Sequence, residues 1–121
     1  MILLVKPKKK KIKYMQMTAQ QGDVLLKRVT TLPKGTRVPI KKNSRGEMVL
    51  ADGETTGHYH GILEEKSELF TLDGKVFMDL KEPATLTHQE HGHIKLEKGI
   101  WEVGRVNEYD YLSKMVRPVQ D

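Results

Sequence analysis

The sequence predicts an all-β domain, a small antiparallel barrel or sandwich of eight or nine short strands. Three observations point there. Short runs rich in β-branched and aliphatic residues recur along the chain, separated by glycine, proline and Asp-Gly punctuation. Asp52-Gly53 and Asp73-Gly74 each lie between apolar runs, and Asp-Gly there favours a two-residue hairpin because both turn positions need positive φ. Beyond the N-terminal segment, no window of helical length (about 12 residues) keeps apolar residues at i, i+3, i+4 and i+7, so almost no helix is expected.

Taken in order, "GDVLLKRV" (22–29) reads as a first strand, closed by Pro33 and Gly35. "VPIKKNSRG" is polar and basic and reads as a connection. "EMVLA" (47–51) is a strand leading into Asp52-Gly53, and "SELFTL" and "KVFMDL" form a hairpin about Asp73-Gly74. Pro83 breaks the chain, "ATLTH" resumes it, and "HIKLEKG" runs to Gly99. "IWEVGRVNEYDYL" and "KMVRPVQD" complete the pattern. Trp101, alternating with its strand neighbours, is expected in the core. Tyr109 and Tyr111 share a strand face and are expected in core or rim packing.

The formal charge of +5 is concentrated at one end. "MILLVKPKKKKIK" holds six lysines and no acid, and without them the chain has 15 basic residues against 16 acidic ones. Residues 1–17 are therefore expected to be a basic flexible tail and 18–121 a single β domain. The tail reads either as a solvated extension ahead of Met15 or Met17, or as a contact for nucleic acid or another polyanion. "MILLV" is short for a signal peptide, and no later run approaches a membrane span. With no cysteine, the chain has no disulfides or thiolate metal sites, and it suits a reducing compartment. A cytoplasmic protein without membrane association is expected, and a homo-oligomer is compatible with the sequence.

Any transition-metal site must then use imidazole and carboxylate. All five histidines lie between residues 58 and 93, in "GETTGHYHGILEE" and "LTHQEHGHI". Side chains at i and i+2 of a strand share a face, roughly 6.5–7 Å apart along the chain, so His58 and His60 can converge on one ion. A tight turn at Asp52-Gly53 would set Ala51 opposite Glu54, Val49 opposite Thr56 and Glu47 opposite His58. His58, His60 and Ile62 would then share a face with the small residues Val49 and Ala51, leaving room for a ligand. In the second segment, strict alternation sets His88 and Glu90 against His91 and His93, so a kink near Gly92 is needed to bring all inward. The expected metal ligands are His58, His60, His91 and His88, in that order, with Glu90 as a fifth candidate, and the general-base candidate is Glu90 or Glu54. His93 is expected outside. Taken singly, each histidine reads more readily as an ordinary surface or hydrogen-bonded strand residue, and it is the clustering that favours a shared site.

"GETTGHYHGILEE" resembles the first motif of the cupin superfamily: a glycine, an HxH pair and a following glutamate on adjacent strands of a small β-barrel. The resemblance implies His58 and His60 as ligands, with Glu64 or Glu65 in the glutamate position. The spacing after Gly53 is one residue short, and "LEKGIWEVGRVN", where the second motif would fall, lacks its proline and histidine. The layout of "GDVLL", "LADGETTGHYH", "LTHQEHGHI", "LEKGIWEV" and "NEYD" also looks like small uncharacterised bacterial and phage proteins pairing TGHxH with HxEH. "GDVLLKRV" and "RGEMVLADGE" carry a fainter likeness to the chaperonin-10 barrel.

Two classes of function stay open. One is a His-rich protein binding a divalent metal, zinc first with iron, nickel or manganese as alternatives, and acting as a metal-dependent enzyme on a small molecule. The other is a non-catalytic binding or assembly protein, phage-associated on the likeness above, whose metal is structural or absent and whose tail meets nucleic acid. No nucleophile elbow, phosphate-cradling loop or dinucleotide fingerprint supports other chemistry.

Overall fold

The computed structural model describes residues 12–53 and 56–106. Ten β-strands make up its elements: β1 Lys13–Gln21, β2 Val24–Thr31, β3 Val38–Ile40, β4 Glu47–Asp52, β5 Tyr59–Leu63, β6 Glu68–Leu72, β7 Lys75–Leu80, β8 Ala84–Thr87, β9 Ile94–Leu96 and β10 Gly99–Arg105. They form two antiparallel sheets, one in the order β1-β2-β10-β7-β6-β3 and the other β4-β5-β8-β9. Among the described residues no ladder joins the sheets, so the sandwich reading describes the molecule and the closed barrel does not. No described helix is long and apolar enough to cross a membrane.

Alternation builds the core. Val24, Leu26, Leu69, Met78, Leu80 and Trp101 from the larger sheet meet Met48, Ile62, Leu86 and Leu96 from the smaller one in a single buried cluster. Trp101 is buried as expected, and its indole N–H donates to the Glu97 carbonyl at 3.0 Å. Residues of the opposite parity, Val29, Phe70, Leu72 and Phe77, form a second cluster on the outer face of the larger sheet. That face is roofed by the β2–β3 loop, where Arg37 lies 4.4 Å from the centre of the Phe70 ring.

Two strands beyond the expected set are both edges. β3 is three residues long and contains Pro39, which an edge strand tolerates because the ring nitrogen owes no ladder hydrogen bond. β1 is mostly exposed and polar, yet pairs with β2 from Lys13 opposite Thr31 to Gln21 opposite Val24. It starts inside the segment 1–17 assigned above to the tail, so that boundary moves to before Lys13. Tyr14 ties β1 down by donating its hydroxyl to the buried Glu102 carboxylate, and burial, reinforced by that bond, pushes the phenol well above its ordinary range. The C-terminal segments, with Tyr109, Tyr111 and "KMVRPVQD", lie outside the described residues.

The two Asp-Gly dipeptides behave differently. Asp73 (φ 51°) and Gly74 (φ 76°) make the expected tight hairpin, with Leu72 opposite Lys75. Asp52-Gly53 does not. A bulge between Val49 and Ala51 shifts the register, Ala51 pairs with His60 and Asp52 with Tyr59, and the Gly53 N–H donates to the His58 carbonyl at 2.7 Å across a wider loop. Glu47 consequently faces Leu63 and Val49 faces Gly61, which replaces the predicted pairing. Glu54 lies outside the described residues.

Candidate metal centre

Three connections meet at one end of the sandwich: the β1–β2 turn, the β4–β5 loop and the β8–β9 loop. Between them is a cavity of about 350 Å³ lined by Gly22, Asp23, Gly53, His58, His60, His88, Glu90 and His91. All four histidines expected to act together therefore reach one place, with Glu90 among them. His93 is exposed and does not line it. Glu64 and Glu65 lie beyond the other end of β5, where Glu64 accepts from the Ser67 hydroxyl and Lys42 caps both backbone carbonyls at 2.9 and 3.0 Å.

His60 follows from strand parity. It shares the inner face of β5 with Ile62 and is 1 % exposed. The required kink lies within 88–91, earlier than Gly92: β8 ends at Thr87, and His88 Nδ1 accepts the backbone N–H groups of Glu90 at 3.0 Å and His91 at 3.3 Å. His88 thereby organises the turn that returns His91 to the cavity. The His60 and His88 ring centres are 4.4 Å apart, His88 and His91 4.5 Å, and His58 and His88 5.8 Å. Burial, reinforced by the neighbouring histidines, lowers the pKa of both His60 and His88, so these rings favour the neutral, lone-pair-bearing form.

Residues outside the histidine motifs complete the site. Gln21, at the end of β1, donates its amide to the carbonyls of Leu86 at 3.0 Å and Gly92 at 2.9 Å. Its oxygen is therefore left as an acceptor, 2.9 Å from His60 Nδ1. The ring must donate there, which leaves the lone pair of neutral His60 on Nε2. That atom is 3.5 Å from Asp23 Oδ1, while Asp23 Oδ2 is held by Arg105 at 2.7 Å. Two ligands on one tetrahedral ion, with bonds of about 2.0–2.2 Å, stand about 3.4 Å apart. His60 Nε2 and Asp23 Oδ1 thus have the spacing of a ligand pair.

His58 Nδ1 is buried and has no hydrogen bond among the described residues. Glu90 Oε1 is 2.9 Å from it but off the donor direction. Two glycines keep the walls open. A Cβ at Gly22 would stand 2.6 Å from His91 Nε2, and one at Gly53 would stand 3.0 Å from His88 Nε2. As the rings are placed, no three of the described His, Asp and Glu side chains converge in coordination geometry. Asp23, Gln21 and Gly22 were missed from sequence because "QGD" reads as an ordinary turn until β1 is known to precede it.

A family model described as "Domain of unknown function (DUF8820)" matches residues 20–106, and the chain belongs to that family. The match spans every residue named in the cavity. Neither the curated proteins nor the solved structures give a match.

Proposed function

We propose that this member of the DUF8820 family binds one divalent transition metal in the histidine cavity, with His60 Nε2 and Asp23 Oδ1 as its fixed pair. The observation that carries the reading is the 3.5 Å spacing of those atoms, each oriented from behind by Gln21 and by Arg105. His91 and His58 would complete the set. Both sit on loop segments outside the strands, where side-chain rotation can bring them onto the ion. The donors are imidazole and carboxylate, which suit zinc, with iron, nickel or manganese as the other candidates. His88 leaves the expected ligand set, because its Nδ1 lone pair already serves two backbone N–H groups.

A cavity of about 350 Å³ beside the pair favours an open site that admits water or a small molecule over a closed structural one. A metal-dependent reaction is the activity such a site would support, with Glu90 at the rim as the candidate base. Elemental analysis of the purified protein is the test. One zinc-class ion per chain, lost from the His60→Ala and Asp23→Ala variants, is expected. A metal-free wild-type protein that takes up no added zinc or cobalt would overturn the reading.

A further inference from the structure

The β8–β9 turn fixes more than the position of His88. The ring is 8 % exposed, and its Nδ1 is committed as an acceptor to the Glu90 and His91 N–H groups. A neutral imidazole has one donor and one acceptor nitrogen, so the proton resides on Nε2. Nε2 lines the cavity beside Gly53, at the point where any side chain larger than hydrogen would stand 3.0 Å from it. No described residue accepts that N–H. The ring as a whole is more than nine-tenths buried, while its Nε2–H opens into space that a glycine keeps empty, where an acceptor from outside the chain can meet it.

We infer that the cavity receives a small carboxylate-bearing molecule, one oxygen of which accepts the Nε2–H of His88 while the metal of the reading above, on which this rests, takes the charge. The acceptor is anionic because a divalent ion with Asp23 as its one fixed carboxylate retains positive charge, and Glu90, 59 % exposed at the rim, neutralises little of it. His88 is then a ligand-orienting donor and no metal ligand. His60, His91, Asp23, Gly22 and Gly53 line the same cavity.

The test is NMR of ¹⁵N-histidine-labelled protein, metal-free and zinc-loaded, titrated with acetate. His88 is expected to keep its proton on Nε2 in both forms, and that N–H resonance to move downfield with acetate. His88→Asn retains an acceptor for the two backbone N–H groups, and its amide N–H groups end short of the position of Nε2. It should keep one zinc per chain and weaken acetate binding at least about tenfold. Zinc on His88 Nε2, or loss of zinc from His88→Asn with the turn intact, would overturn the inference. So would an acetate titration that leaves the Nε2–H unmoved. Failure of the wild type to take up zinc would refute the metal reading instead, and the metal-free titration would then decide the role of His88 by itself.

Discussion

His60 Nδ1 donates to Gln21 Oε1 across 2.9 Å, joining the inner face of β5 to the last residue of β1. The bond is directional because the Gln21 amide nitrogen is spent on the carbonyls of Leu86 and Gly92. One glutamine therefore sets the tautomer of the candidate ligand and ties both sheets together.

Gln21→Ala should weaken metal binding about 10- to 100-fold by freeing the His60 ring. It should also cost about 1–3 kcal/mol of stability by leaving buried groups unpaired. Isothermal titration with zinc and chemical denaturation read the two effects. Unchanged affinity would separate Gln21 from the site.

Gly53→Ala should impair metal or ligand binding while the fold survives, since the new methyl would stand 3.0 Å from His88 Nε2 and 3.1 Å from the His58 carbonyl oxygen. Gly92→Ala is the control, because a Cβ there meets nothing within 4 Å. Equal effects from both would mean that the space beside His88 is not used.

The metal-free protein should lose stability as pH falls below 6.5. Burial lowers the folded pKa of His60 and His88 from that value, so below it the unfolded chain binds more protons than the native one. Above 6.5 these rings contribute no slope, and the loss continues downward until the folded pKa values are passed. Melting temperatures from pH 8 to 5, compared with a His60→Gln, His88→Asn double variant, isolate the contribution. A parallel profile in that variant would contradict it.

Truncation through residue 17 should destabilise the domain. It removes Tyr14 from the buried Glu102 and strips Met17 from the main core cluster. Tyr14→Phe alone should cost about 1 kcal/mol. Thermal unfolding of both variants checks this, and an unchanged midpoint in the truncated chain would make β1 dispensable.

Strands buried on one face were legible because period-two apolar patterning is written directly in the residues, as in Ile94 and Leu96 about the exposed Lys95 of β9. The edges β1 and β3 were not, because one is mostly exposed, with polar residues among its few apolar ones, and the other carries a proline. Histidine clustering suggested one shared location, and His58, His60, His88 and His91 all line one cavity. Their roles were hidden. Which nitrogen of His88 is free depends on a turn made by its own side chain, and Asp23 enters from a strand pair over 30 residues away in sequence. The Asp52-Gly53 turn misled because Asp52 pairs with Tyr59 across a six-residue connection in place of a two-residue one, and the bulge between Val49 and Ala51 shifts the register by one more.

The central claim is that Asp23, from the β1–β2 turn, and His60, from β5, hold one ion. Zinc-dependent stabilisation measured for wild type, Asp23→Ala, His60→Ala and the double variant tests it most directly. The claim predicts that zinc raises the wild-type melting temperature, that each single variant loses most of that rise, and that the double variant loses little more than the worse single one. Independent, additive losses would contradict it.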